Sequence, residues 1–291
     1  MMTTRRKFLV QAGMLSATAV LAPKLLSAKG TKGVGLQLFT LREQLPKDVK
    51  SVIAKVAGAG YREVETFGYS KDHGFWGLKP KEFKALLGSN GLTTPSGHYA
   101  FDSILAGNNW DEVKLHIEVA NTVGQRYYTI PYINDRFRKS ADDLKKVSEN
   151  VNKVAELCKQ AGLKTAYHNH NFEFMPVDGV TLYDVLLKEA DPKLVQFELD
   201  LYWVVRAGKD PVALFNEHPG RFAMVHVKDM DKENHDLNTE VGNGSIDYQT
   251  IVAKAKQAGV QHFIMEQENF KIDPYTSITK SCSYMKNVLH V

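Results

Sequence analysis

From Gly33 onward, short apolar runs alternate with longer stretches whose apolar residues recur every three or four positions. Residues 34–39 read as a strand. Residues 47–59 then place Val49, Val52, Ile53, Val56 and Ala57 on one helical face. Gly58 and Gly60 stop that helix, and residues 61–67 form the next strand. The unit recurs, with strands predicted at 92–96, 126–131, 164–170, 194–200, 222–228 and 262–268. Helices are predicted at 79–90, 110–124, 141–162, 181–189, 211–216, 248–259 and 275–289. Eight strands in strict alternation with eight helices demand a parallel sheet. Eight units in about 260 residues suit a closed (β/α)8 TIM barrel of the α/β class better than an open doubly wound sheet. No glycine-rich dinucleotide fingerprint follows the first strand, and no low-complexity linker breaks the alternation. The expectation is one domain, residues 33–291.

Residues 1–28 read differently. Arg5, Arg6 and Lys7 form a basic cluster, and an apolar run of small residues follows from Ala12 to Ala22. This is the pattern of an export signal, too short to cross a bilayer comfortably. The order Thr4-Arg5-Arg6-Lys7-Phe8-Leu9 resembles a twin-arginine signal, which implies periplasmic delivery of a folded protein. The whole chain carries 37 basic and 33 acidic residues. Arg5, Arg6, Lys7 and Lys24 lie in the signal with no acid among them, so its removal leaves a neutral protein. Neutrality gives no ground for nucleic-acid binding or stable membrane association. Cys158 and Cys282 sit in predicted helices, away from any zinc-finger spacing, and read as buried thiols.

In a barrel of this kind, the chemistry gathers at the C-terminal ends of the strands. Four successive strands here end Tyr167-His168-Asn169-His170, Glu198-Leu199-Asp200, His226-Val227-Lys228-Asp229 and Glu266-Gln267-Glu268. Residues two apart share a face, so His168 pairs with His170, Glu198 with Asp200, His226 with Lys228 and Glu266 with Glu268. Charged groups inside a barrel are costly unless paired or bound to metal. Two imidazoles and two carboxylates suit one divalent ion (Mn, Co, Zn, Fe or Mg) better than Ca. The bland alternative is that these groups hydrogen-bond only one another.

Those motifs resemble the xylose-isomerase-like barrel superfamily of sugar isomerases, epimerases and inosose dehydratases, which also contains endonuclease IV. The resemblance runs from about Gly33 to the C-terminus. Its marks are residues 167–174, 198–203, 226–229, Gly242-Asn243-Gly244-Ser245-Ile246-Asp247 and 265–268. It implies metal ligands His168, Asp200, His226 and Glu266, one from each of four strand ends. Two departures matter. His168 stands where many epimerases of this type carry a catalytic Glu, which removes half of a two-base pair. Trp203 stands where the three-metal nuclease pattern carries His, and no Asp-x-His follows His226.

Other residues complete the expected site. Glu266, Glu268 or His98 would handle a proton. Lys228 would steady a developing oxyanion, or else pair with Asp229 or Glu198. Glu65 is a candidate for binding substrate hydroxyls, and His170 and Glu173 for orienting ligands or substrate. Trp203, and with it Phe39, Phe67, Tyr99 and Trp76, would supply a stacking wall. Gly242 and Gly244 read as a tight loop with no phosphate role. The expected partner is a small carbohydrate, and oligomeric state is not legible. The leading expectation is metal-dependent isomerisation or epimerisation through proton removal beside a carbonyl. Elimination from a keto-sugar is the runner-up, and a non-catalytic sugar-binding barrel is the alternative from another class.

Overall fold

An apolar run with no polar alternation must be covered on both faces, and this chain supplies a helix layer after each strand. The computed structural model describes residues 33–291, so the expected signal lies outside the described residues. Eight parallel strands close into a barrel: Gly35–Gln37, Glu63–Thr66, Thr93–His98, Tyr127–Ile130, Lys164–His168, Val195–Asp200, Phe222–Val227 and His262–Met265. Each pairs with its neighbour in the chain, and the first pairs with the last through Gly35 opposite Ile264 and Leu36 opposite Met265. Register at the working end sets His168 beside Glu198 and Asp200 beside His226. The expected (β/α)8 barrel is thus the observed one.

The helix layer departs from strict one-to-one alternation. The described residues form α1 (Val49–Gly58), α2 (Pro80–Ser89), α3 (Asp102–Gly107), α4 (Trp110–Val123), α5 (Ala141–Gln160), α6 (Leu182–Glu189), α7 (Leu201–Arg206), α8 (Pro211–Glu217), α9 (Tyr248–Gln257) and α10 (Pro274–Asn287). Helices α3 and α7 are the additions. Helix α7 starts directly on the sixth strand because Asp200 serves as both strand end and cap, its Oδ1 accepting from Trp203 N at 3.0 Å. The longest helix, α5, turns Leu144, Val147, Val151, Val154 and Cys158 inward behind a Ser140 cap. Cys158 and Cys282 are free and buried.

Most strands are shorter than the apolar runs suggest, and for three of them the early stop at the working end matters. The first gives way to a 3-10 turn, Leu38–Leu41, because the Gln37 side chain accepts from Phe39 N at 3.0 Å. The fifth stops at His168 and the eighth at Met265, so His170, Glu266 and Glu268 stand on the loops beyond. Face parity therefore does not govern those three.

The loop after the seventh strand is built around Asp229. Its carboxylate accepts from the amides of Gly242 (2.8 Å), Gly244 (3.0 Å), Met230 (2.9 Å) and Ile246 (3.3 Å). A Cβ on Gly244 would lie 2.1 Å from Asp229 Oδ1, so the approach requires glycine. The glycine motif is therefore an internal anchor, with the chain's own carboxylate filling its amides.

Candidate active site

The strand ends converge on a cavity of about 470 Å³. One wall is apolar, made by Phe39, Phe67, Pro131, Tyr132 and Trp203. The facing residues are His98, His168, His170, Glu266 and Glu268. Such a cavity, apolar with a few convergent polar groups, suits a small polar molecule with one apolar face.

Its floor is a cluster of ionisable groups in which Glu65, Glu198, Asp200 and His226 are fully buried and His98, His168 and Glu266 reach the cavity. His226, on the seventh strand, presents a different nitrogen to each of two sets of carboxylates. Its Nε2 lies 2.7 Å from Glu65 Oε2 and 3.3 Å from Glu198 Oε2. Its Nδ1 lies 3.4 Å from Glu266 Oε2 and 3.9 Å from Asp200 Oδ2. His168 is split in the same way, with Nδ1 at 3.1 Å from Glu198 Oε2 and Nε2 at 4.0 Å from Asp200 Oδ2. His98 Nε2 completes the lower set, 2.8 Å from Glu198 Oε2 and 3.1 Å from Glu65 Oε2.

Two groupings in this cluster are compact enough to hold an ion: His98, His168, Glu198 and His226, and separately Asp200, His226 and Glu266. Their hydrogen bonding tells them apart. In the lower grouping the contacting nitrogens already sit at hydrogen-bond distance from a carboxylate oxygen. In the upper one, Asp200 Oδ2 and His226 Nδ1 are buried with no hydrogen-bond partner. Unpartnered buried acceptors of this kind are costly and call for an explanation. Asp200, His226 and Glu266 would hold a divalent ion that supplied one, and His168, whose Nε2 lies 4.0 Å from Asp200 Oδ2, would bring the donor set to two imidazoles and two carboxylates. The residues present fit the expected group.

The electrostatics reflect the crowding. Burial raises the Asp200 carboxyl to about 7, against the opposing pull of Lys228 and His226. Burial also works on Glu266, but Lys228 and His226 outweigh it and hold the carboxyl well below its usual range. For His98, burial disfavours the cation, yet the Glu65 charge and the hydrogen bond to Glu198 push it up to about 10. His170 is driven the other way, down to about 3, by burial and then by the Lys228 charge.

Several expected residues stand elsewhere than the sequence implied. Glu65 is fully buried beneath the cavity, where its Oε2 accepts from Gln37 Nε2 at 2.7 Å as well as from the histidines. It does not line the space where hydroxyls would bind. Lys228 is 1% exposed and pairs with Glu266 at 3.3 Å and with Glu268, not with Asp229 or Glu198. Its ammonium lies over the Trp203 ring at 5.1 Å. Glu173 is buried off the cavity, where it accepts from Tyr167 OH at 2.9 Å and His170 N at 2.8 Å and so ties down the loop after the fifth strand. Tyr99 turns into the core and donates to Gln125, and Trp76 packs behind Phe67. His98, Glu268, Trp203, Phe39 and Phe67 do line the cavity.

Glu198, Gln37 and Tyr132 are the residues the sequence reading passed over. Parity pairs Glu198 with Asp200 but does not say which carboxylate faces a ligand. Gln37 carries no signal as an isolated amide on a strand, and Tyr132 stands on a loop.

Comparison with known proteins agrees with the fold. The sequence profile of the family described as "Xylose isomerase-like TIM barrel" matches residues 53–288. An inosose dehydratase of Lacticaseibacillus casei is 22% identical over 287 residues, covering 85% of this chain and 93% of that one. The structure of a sugar phosphate isomerase/epimerase from Parabacteroides distasonis is 28% identical, with a TM-score of 0.79 over 90% of this chain and 96% of that one. A probable 3-DHS dehydratase from Bacillus anthracis, at 14% identity and a TM-score of 0.70, covers 88% and 99% and shares the fold alone.

Proposed function

We propose, for a chain that belongs to the xylose isomerase-like TIM barrel family, a metal-assisted elimination from a keto-sugar or keto-cyclitol. Bound in the upper grouping, a divalent ion would polarise the substrate carbonyl as a Lewis acid and so acidify the neighbouring C–H. His168, Asp200, His226 and Glu266 would hold it.

The observation that carries elimination is the unlike character of the two proton-handling groups on the cavity. Glu268 lines the cavity with its carboxylate fixed by Lys228, and no metal-ligand duty falls on it. It would take the proton beside the carbonyl. His98 lines the same cavity and is held as a cation by Glu65 and Glu198. It would give a proton to the departing hydroxyl, so water leaves and a double bond forms. Reversible epimerisation needs two matched bases on opposite faces of one carbon, and His168 stands where the second would be. Trp203 and Phe39 would seat the apolar face of the ring, while Lys228, bridging Glu266 and Glu268, offsets the repulsion between them. An inosose dehydratase among the relatives supports the same reading.

One-base isomerisation stays as the second reading, since Glu268 alone could return its proton to the adjacent carbon. The export pattern at Arg5-Arg6-Lys7 goes with periplasmic work, and cell fractionation with an antibody to the chain tests it. For the chemistry, metal-loaded protein is incubated in D2O with a panel of keto-inositols and keto-sugars and followed by NMR. Elimination predicts deuterium beside the carbonyl together with an olefinic product signal. Exchange without that signal would favour isomerisation. Binding without any exchange would make this a sugar-binding barrel and overturn the proposal.

A further inference from the structure

Glu65 and Glu198 lie under the cavity, out of reach of a substrate, yet between them they contact three imidazoles. We infer that these two carboxylates are positioning residues, which fix the ring tautomers of His226 and His168 so that their lone pairs face the ion. The inference rests on the metal reading given above.

The argument is one of hydrogen bookkeeping. A carboxylate oxygen in these contacts accepts, so the ring nitrogen beside it must carry the hydrogen. His226 Nε2, at 2.7 Å from Glu65 Oε2, is therefore the N–H of that ring. A ring that ligates an ion has given up its second proton, so with the hydrogen kept at Nε2 the lone pair is on Nδ1. That is the atom found buried and unpartnered beside Asp200 Oδ2. His168 repeats the pattern with its nitrogens exchanged: Nδ1 donates to Glu198 Oε2 at 3.1 Å, and Nε2 turns toward Asp200.

Glu65 is itself oriented. The Gln37 carbonyl oxygen accepts from Phe39 N at 3.0 Å, which forces its amide nitrogen toward Glu65 Oε2 at 2.7 Å. The chain of contacts thus runs from the turn after the first strand, through Gln37 and Glu65, to His226. The competing reading of the same cluster is a second ion held by His98, His168, Glu198 and His226. A ring nitrogen cannot donate a hydrogen and ligate at once. Glu198 Oε1 is unpartnered as well, but the one ring nitrogen of the two groupings left without a partner, His226 Nδ1, faces Asp200 and Glu266.

The test uses full-length purified protein and Co²⁺ as the probe. Long-range ¹H–¹⁵N spectra of wild type loaded with diamagnetic Zn²⁺ should show His226 in the Nε2–H form and His168 in the Nδ1–H form. Adding Co²⁺ should perturb His226 Nδ1 and His168 Nε2. Glu65→Gln and Glu198→Gln should each weaken Co²⁺ binding about 10- to 100-fold by calorimetry, with the stoichiometry unchanged. The opposite tautomers in the wild type would overturn the inference, and that spectrum needs no variant to fold. So would two Co²⁺ ions per chain falling to one in Glu198→Gln, because the cluster would then be a second ion site. Equal Co²⁺ binding by wild type and His226→Ala would instead remove the metal reading itself, whatever the tautomers.

Discussion

The barrel interior holds glutamate–histidine clusters at both of its ends, and they are built differently. At the N-terminal end, Glu63 and His262 form a pair at 2.8 Å next to the Tyr127 ring. The polar atom left over there is the neutral hydroxyl of Tyr127. At the C-terminal end, four carboxylates and two imidazoles crowd around His226, and Glu65 Oε1, Glu198 Oε1, Asp200 Oδ2 and His226 Nδ1 are left without partners. One cluster is complete as protein alone. The other is arranged for something that the protein does not supply. A buried ionisable group is thus a weak sign of function, and a buried ionisable group lacking its partner is a much stronger one.

The contrast can be broken at either end. The largest effect is expected from Glu268→Gln, which should lower turnover by about 10²- to 10⁴-fold while metal content stays at the wild-type level. Loss of metal in that variant would place Glu268 among the ligands and leave the reaction without its base. At the other end, His262→Ala should cost about 1–3 kcal/mol in a denaturant melt by stranding the Glu63 carboxylate, again with metal content unchanged. If it removed the metal, the two ends would not be independent.

The smallest effect concerns Glu173, which burial raises to about 8 against hydrogen bonds from His170 and Tyr167. Its folded value lies above the ordinary glutamate value of 4.5, so the folded state keeps the proton longer than the unfolded chain does. The group's contribution to stability therefore declines as pH rises from about 4.5 to about 8 and levels off above that. Glu173→Gln should show a shallower fall in melting temperature than wild type across that window. Parallel curves would mean that Glu173 is ionised throughout.

The barrel was legible because its signal is a period. Apolar runs alternate with helical faces such as Val49, Val52, Ile53 and Val56, and that rhythm repeats eight times. The strand-end clusters stood out because charge is unexpected on a barrel strand, and the family resemblance then singled out His168, Asp200, His226 and Glu266 among them. Depth within the barrel was not legible. Glu65 and Glu198 face inward as parity predicts, but only packing shows that they lie below the cavity and serve the histidines. Helix α7 was hidden because Asp200 ends a strand and caps a helix at once. The cavity's outer wall was hidden because Tyr132 and Pro131 lie on a loop with no periodicity to read.

The central claim is that the upper grouping is completed by one divalent ion. Elemental analysis of purified, metal-loaded wild type and Asp200→Asn tests it most directly. One ion per chain in the wild type, falling to background in the variant while its circular dichroism stays that of a folded barrel, is the predicted result. No bound ion in the wild type, or full occupancy retained in Asp200→Asn, would contradict it.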